Sequence, residues 1–215
     1  MSALVPSRSA FQVVGDTVLR RDDGGGAPYG TNTELIVKND SGSGPSALDR
    51  TVYLRFDISA LSALKTMGMA LTNASLSIDL IAEGIGTNHT IYVAAIAENA
   101  TAEMFAESNL LASTSDVLSG STDEAVNFSK VFGGAALGGF EISRSDQGKT
   151  LKFSGPELLK AIRADTNGVL SLVLYRTEDS PSGDTFASKE HATLHPALLV
   201  VDYWTPPPGT LIRLY

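Results

Sequence analysis

The chain has 215 residues, of which 43% are hydrophobic and 19% are charged, and its formal net charge is −8. This composition supplies enough apolar side chains for a buried core and excludes disorder as the dominant state. The acidic charge offers no electrostatic footprint for nucleic acid or for an anionic membrane surface. The absence of cysteine excludes disulfides and thiolate metal sites.

Short strands separated by turn-forming residues are predicted along most of the chain. The clearest is 51–58, whose even-numbered residues are all apolar, so that Tyr53 and Arg55 face the opposite side of the strand. In chain order, the predicted strands are 11–20, 34–38, 51–58, 74–81, 90–97, 149–153, 169–176 and 197–203.

One helix is predicted, over residues 156–165. Pro156 stands in its first turn, Leu158 and Ile162 belong to an apolar stripe, and Asn167-Gly168 ends it. Residues 100–140 are rich in Ala, Ser and Gly and show no sustained period, so either a short helix or a long loop fits them.

Many short strands with a single helix predict an all-β fold, an antiparallel β-sandwich of the jelly-roll kind with extended terminal arms. The predicted sandwich covers residues 11–203. An N-terminal arm, 1–10, precedes it and a Pro-rich C-terminal arm, 204–215, follows it. The predicted core residues are Leu54, Phe56, Leu76, Ile78, Val93, Leu172, Leu174, Leu198 and Val200.

The C-terminal arm is predicted to act between subunits. Pro206, Pro207 and Pro208 lack backbone donors and cannot continue a strand ladder. The apolar residues beyond them suit strand addition at a sheet edge of a neighbouring subunit. Folding back onto an apolar patch of the same sandwich is the alternative. The residues predicted to make the intersubunit contact are Leu211, Ile212, Leu214 and Tyr215.

Several segments together resemble carbohydrate-binding module family 96, also called the DNRLRE domain. The order and spacing of these segments carry the resemblance, over residues 11–203, although the Trp-rich middle stretch of the family has no counterpart in 104–132. The segments are Asp16-Thr-Val18, Tyr29-Gly-Thr31, Leu35-Ile-Val-Lys38, Thr51-Val-Tyr-Leu-Arg-Phe-Asp-Ile-Ser59, Ala74-Ser-Leu-Ser-Ile78, Ile91-Tyr-Val93, Phe186-Ala-Ser-Lys-Glu190 and Pro196-Ala-Leu-Leu-Val200.

The resemblance implies a β-sandwich that binds glycans. Tyrosines on the strands are candidates for stacking on sugar rings, with packing as the alternative. The charged residues of the two most recognisable motifs are candidates for polar contacts, with a structural ion-pair network as the alternative. The residues predicted to bind a glycan are Tyr53, Arg55, Lys189 and Tyr175.

A structural calcium ion is the one cofactor that the sequence suggests. Asp16, Asp22, Asp23 and Asn32 offer loop oxygens of the type that suits Ca²⁺. The alternative is that these residues only form turns.

No catalytic residues are predicted. The Gly148-Lys149-Thr150 run lacks the first glycine and the following helix of a phosphate-binding loop, and no nucleophile-elbow motif is present.

We therefore expect a non-catalytic structural or adhesive protein on the surface of a virus particle, such as a phage head-decoration, fibre or tail protein. The missing export signal and cysteines motivate this hypothesis. The alternative is a secreted carbohydrate-binding module associated with the degradation of alginate-like polysaccharides. Other protein subunits and a polysaccharide are the expected partners, and neither nucleic acid nor membrane insertion is expected.

Overall fold

The computed structural model describes residues 4–20, 29–40, 49–66, 69–98, 100–110, 115–117 and 126–205. Its strands are β1 (Val5–Arg20), β2 (Glu34–Val37), β3 (Arg50–Asp57), β4 (Ala70–Ala82), β5 (His89–Ala95), β6 (Gly138–Ile142), β7 (Thr150–Ser154), β8 (Val169–Tyr175), β9 (Asp184–Ala187) and β10 (Leu198–Thr205). Its helices are α1 (Ser59–Thr66) and α2 (Pro156–Ala164), with 3₁₀ turns at Thr101–Met104, Phe128–Lys130, Phe132–Gly134 and Arg144–Asp146. Within the described ranges every strand pairing is antiparallel, and the predicted all-β sandwich is confirmed.

Strand β1 is shared by the two sheets of the sandwich because its two halves pair with different neighbours. Residues 5–12 pair with β10, and residues 13–20 pair with β3. The register shifts between Val13 and Gly15, and such a bulge bends a strand from one sheet towards another. One sheet therefore has the order β1-β10-β4-β7 and the other has the order β1-β3-β8-β5-β6, while β9 and β2 continue from the end of β4.

Side chains from both sheets meet in one hydrophobic core. Most of the predicted core is confirmed, since seven of its members are fully buried: Leu54, Phe56, Leu76, Ile78, Val93, Leu172 and Leu174. The prediction for β10 is wrong by one position, because Leu199 and Val201 are buried whereas Leu198 and Val200 are half-buried. Residues 197–201 are all apolar, so no alternation marks which of them face inward, and a one-residue shift exchanges the two faces.

The predicted helix is confirmed as α2, whose Leu158 and Ile162 are fully buried where the helix packs against β4. The sequence did not predict α1. This helix has only eight residues and follows directly on β3, where the Asp57 carboxylate accepts a hydrogen bond from the backbone N–H of Ser59 at 3.0 Å. Such a short segment gives no readable helical period beside a strongly alternating strand.

The segment that follows β5 covers the outer face of β3 and β8. Its described parts form a second hydrophobic cluster with the outward side chains of those strands, including Tyr53 and Val173. We call this segment, residues 96–137, the cover segment. It accounts for the region without period in the sequence, since its described parts are 3₁₀ turns and loops with apolar residues that lie against a sheet face.

The structure adjusts the boundaries of the predicted arms. Strand β1 begins at Val5, so residues 5–10 of the predicted N-terminal arm are paired with β10. Residues Trp204 and Thr205 still belong to β10. The predicted intersubunit residues Leu211, Ile212, Leu214 and Tyr215 lie outside the described residues.

Candidate functional site

Residues from separate motifs meet in a charged cluster beside β1. The backbone N–H of Lys189 donates to Asp16 Oδ2 at 2.7 Å, and the backbone N–H of Asp16 donates to Glu107 Oε1 at 2.7 Å. The Lys189 ammonium lies 3.0 Å from Glu107 Oε2 and also contacts Glu190 Oε1. We call Asp16, Glu107, Lys189 and Glu190 the carboxylate cluster.

The cluster lies where β1 leaves one sheet for the other. After β10 stops pairing at Gln12, the described strands pair with only one edge of β1, the edge that faces β3. Backbone groups at an open edge need other partners. The side chain of Glu107 and the backbone of Lys189 supply these partners at Asp16.

Gly30 fixes the position of Glu107. A Cβ atom at Gly30 would lie 2.2 Å from the Cβ of Glu107 and 3.0 Å from its Cα, a separation that no side chain tolerates. Only glycine permits this close approach of two backbones. Gly30, which belongs to the Tyr29-Gly-Thr31 segment of the family resemblance, therefore allows the cover segment to pack closely beside β1.

Two carboxylate oxygens of the cluster are buried without compensation. Asp16 is 1% exposed, and neither its Oδ1 nor Oε2 of Glu190 has a hydrogen-bond partner among the described residues. Burial raises the pKa of Asp16 to about 7. The backbone N–H of Lys189 opposes that rise in pKa, whereas the negative charges of Glu190 and Glu107 add to it.

Arg55 lies next to the cluster but is engaged elsewhere. Its guanidinium donates to the backbone carbonyl of Phe105 and lies 5.4 Å from the centroid of the Phe105 ring. Both contacts attach the cover segment to β3. The sequence predicted Arg55 and Lys189 to be glycan ligands, and the structure instead places their charged groups against protein partners.

A pocket with aromatic walls opens at one edge of the cover segment. Tyr92 of β5 and Tyr175 of β8 are cross-strand partners, and their rings stack at 5.5 Å between centroids. The Phe128 ring meets Tyr175 edge-on at 6.3 Å and is 39% exposed. These three residues line a cavity of about 520 Å³, a size typical of small-ligand sites.

Asn39 also lines this pocket, and its buried side chain carries an unpaired polar atom. Its amide nitrogen donates to the Thr177 carbonyl at 3.0 Å, which leaves the amide oxygen as the free end. Asn39 is 8% exposed, and its Oδ1 has no partner within the described part of the chain. We call Asn39, Tyr92, Phe128 and Tyr175 the aromatic pocket.

A third group, Glu83, His89 and Asp184, has metal-like spacing, and both oxygens of Asp184 and Oε1 of Glu83 already have partners. Asp184 Oδ2 accepts from Arg176 at 2.7 Å, and Asp184 Oδ1 accepts from the Gly84 N–H at 3.0 Å and lies 3.1 Å from His89 Nε2. Glu83 Oε1 accepts from the Ile85 N–H at 2.6 Å. This arrangement is a buried structural network that joins β5, β8 and β9.

The structure separates the predicted site residues. Of the predicted glycan ligands only Tyr175 lines the aromatic pocket. Tyr53 is fully buried under the cover segment, with its hydroxyl 2.9 Å from Ser115 Oγ, so it offers no surface to a sugar. Of the predicted calcium ligands only Asp16 belongs to the carboxylate cluster. Asn32 is exposed in a turn, and Asp22 and Asp23 lie outside the described residues.

Sequence reasoning missed Glu107, Phe128 and Asn39. Glu107 and Phe128 belong to the cover segment, where no period assigns a residue to either face. Asn39 has the residue type of a turn former. Asn39 is buried beside the bridge between Lys38 and Arg50, a long-range pairing that no local sequence pattern predicts.

No protein-family model matches the chain, and no curated protein matches it. The resemblance to carbohydrate-binding module family 96 therefore stays a hypothesis that rests on the order of the motifs. No helix in the described ranges has the length and apolar character needed to cross a membrane.

Proposed function

We propose that this chain is a non-catalytic β-sandwich that binds a neutral saccharide in the aromatic pocket. The observation that carries the proposal is the combination of the stacked and edge-on rings of Tyr92, Tyr175 and Phe128 with the unpartnered amide oxygen of Asn39. Sugar rings present apolar C–H faces and hydroxyl donors, and this pocket offers the complement of both.

The balance of apolar and polar groups supports a saccharide more than a purely apolar ligand. Aromatic side chains supply most of the contact area in such sites, and a few polar atoms fix orientation. A buried amide oxygen without a hydrogen bond carries a desolvation cost of roughly 1–3 kcal/mol, which a bound hydroxyl group relieves. Water offers the same relief only where the pocket holds it in place.

Charge favours a neutral ligand. The chain carries a net charge of −8, which repels polyanions unless cations line the site. Arg176 is among the residues that line the pocket, but its side chain is fully buried and its guanidinium donates to Asp184 and to backbone carbonyls. The described pocket therefore favours a neutral glycan over the alginate-like polyuronates that the family resemblance suggests.

Removing the ring of Phe128 or of Tyr92 is expected to weaken saccharide binding. Affinity gel electrophoresis against xyloglucan, mixed-linkage β-glucan, starch and alginate gives the measurement. At least one neutral polymer is expected to retard the wild-type protein, and alginate is expected to have no effect. Phe128→Ala and Tyr92→Ala should each weaken binding at least roughly tenfold, which corresponds to about 1.4 kcal/mol.

The matched control is Trp204→Ala, since Trp204 is 38% exposed and Phe128 is 39% exposed, and Trp204 lies on β10 away from the pocket. It should bind like the wild type. If no neutral polymer retards the wild-type protein, or if Phe128→Ala is retarded as strongly, the proposal fails.

A second function, attachment to other subunits on a particle surface, is favoured by one observation. Leu4, Val5 and Trp204 are 53%, 44% and 38% exposed where β1 begins and β10 ends. Apolar side chains exposed at a strand end are available for contact with another subunit. The chain continues from Thr205 into the Pro-rich segment that the sequence predicts to act between subunits.

Deleting residues 206–215 is expected to reduce the size of the assembly while the melting temperature stays unchanged. The reason is that the described sandwich is complete at β10, whereas the deleted segment carries the predicted intersubunit residues. Light scattering during size-exclusion chromatography and thermal melting give the two readouts. An unchanged assembly with a lower melting temperature would contradict the intersubunit role and favour a tail that covers its own sandwich.

A further inference from the structure

We propose that the carboxylate cluster binds a divalent cation, for which Ca²⁺ is the best chemical match, through Asp16, Glu107 and Glu190. This site differs from the loop site that the sequence suggests, since it uses two glutamates that lie far from Asp16 in the chain. It is also independent of the aromatic pocket and its ligand.

The spacing of the three carboxylates fits a single ion. One oxygen atom from each of Asp16, Glu107 and Glu190 lies within 4.8 Å of the other two. Two oxygens bound to the same Ca²⁺ at about 2.3–2.6 Å are separated by at most about 5 Å. One ion can therefore contact all three side chains after small side-chain adjustments.

Unpartnered buried oxygens supply an independent reason for a ligand. Asp16 is 1% exposed, and its Oδ1 and Oε2 of Glu190 lack hydrogen-bond partners in the ranges that the structure describes. Most buried polar atoms in folded proteins are paired, and those that are not need an explanation. A cation bound to Asp16 and Glu190 through these oxygens provides one.

The charges of the cluster are incompletely balanced. Three carboxylates and the ammonium of Lys189 leave a formal charge of −2 when all four groups are ionised, and the neighbouring Arg55 guanidinium, which binds the Phe105 carbonyl, reduces this to −1. The ammonium contacts Glu107 Oε2 and Glu190 Oε1, and among the described residues it makes no salt bridge to the other oxygen of either glutamate. Glu107 Oε1 accepts the Asp16 N–H but retains a second lone pair. A divalent cation offsets the negative charge and can bind the remaining lone pairs.

The ligand chemistry selects the cation. All of the donors are oxygens, which suits Ca²⁺ or Mg²⁺ and not the metals that prefer nitrogen or sulfur. Mg²⁺ demands near-ideal octahedral geometry, whereas Ca²⁺ accepts irregular sets completed by water. A cluster that shares its oxygens with Lys189 and a backbone N–H is irregular, so Ca²⁺ fits better.

Isothermal titration calorimetry on protein dialysed against a chelator tests the proposal. The wild-type protein is expected to bind one Ca²⁺ per chain with a dissociation constant of about 1 mM or tighter, and to bind Mg²⁺ more weakly. The melting temperature should rise with Ca²⁺ concentration because the ion binds only the folded chain. Asp16→Asn and Glu190→Gln should each weaken binding at least roughly tenfold, since even outer-shell partners contribute that much.

Glu157→Gln is the control, because the Glu157 carboxylate on α2 is 46% exposed, pairs with Lys160 and lies outside the cluster, so that its loss should leave Ca²⁺ binding unchanged. Circular dichroism checks that each variant is folded, and Glu190→Gln decides the test if Asp16→Asn does not fold. The proposal is overturned if the wild-type protein binds no Ca²⁺ at millimolar concentration, or if a folded Asp16→Asn or Glu190→Gln protein binds it as tightly as the wild type. Stronger binding of Mg²⁺ would overturn the assignment of calcium.

Discussion

Phe56→Ala is expected to lower the free energy of unfolding by about 3–5 kcal/mol, from lost transfer energy plus the cavity left behind. Phe56 is fully buried in β3, the strand between β1 and β8. Its strand neighbours in register are Val13 and Leu170, both of which belong to the same core. Strands hold it on both sides, so the site has little freedom to collapse into the vacated volume.

Urea denaturation followed by circular dichroism measures this loss. Phe128→Ala is the control, since it removes a ring of the same kind from a 39% exposed position and should change stability little. The same experiment establishes that the pocket variant is folded when its saccharide binding is measured. A loss below about 1 kcal/mol for Phe56→Ala, far less than a buried phenylalanine costs, would show that this ring is not part of the core.

The core around Phe56 was predictable because its strand alternates. In 51–58 every second residue is apolar, and that period alone assigns the inward face. In β10 the run 197–201 is apolar throughout, so the inward face depends on the register with β1 and β4, which is a long-range property. This is why the sequence predicted Leu198 and Val200 to face the core, whereas Leu199 and Val201 do so.

The outer face of β3 was harder to predict than its inner face. A strand with polar and aromatic residues on one side is typical of a sheet that faces water on that side. Tyr53 fits this pattern, yet the cover segment buries it. The described parts of the cover segment contact the sheet through 3₁₀ turns and loops, which give no helical or strand period. The local pattern therefore predicted that Tyr53 is available to a sugar, whereas the tertiary fold buries this tyrosine.

For the same reason, only some residues of each candidate site could be identified from the sequence. Asp16 was predicted as a calcium ligand and Lys189 as a glycan ligand, and the structure brings both together with Glu190. Glu107, which completes the carboxylate cluster, comes from the cover segment. Tyr175 was identified on β8, but Phe128 and Asn39, which give the aromatic pocket its open face and its polar atom, lie in segments without periodicity.

The buried network around Asp184 gave no sequence signal. His89 follows a turn and Arg176 ends a strand, and nothing in either local pattern relates them to Asp184. In the structure, all three side chains are fully buried. The Arg176 guanidinium donates to Asp184 and to the backbone carbonyls of residues 178, 180 and 182, so it holds the loop between β8 and β9 in place.

Asp184→Asn is therefore expected to destabilise the fold by about 3–5 kcal/mol, the range found when one partner of a buried ion pair is removed. The substitution keeps the shape of the side chain but leaves the Arg176 charge uncompensated in the interior. It also sets an amide group against the Gly84 N–H or the Arg176 donors, because only one of its two ends is an acceptor. Urea denaturation measures the effect.

The control is Asp202→Asn, which removes the carboxylate that pairs with Arg8 at 2.6 Å near the surface. Solvent screens that pair, so its loss should leave stability nearly unchanged. A second readout separates loss of charge from loss of packing. Because the Arg176 contacts hold the β8–β9 loop, Asp184→Asn should accelerate proteolysis in the 177–183 segment before global unfolding, whereas Phe56→Ala should not. Equal stability of the two asparagine variants would show that the Arg176–Asp184 pair does not hold the fold together.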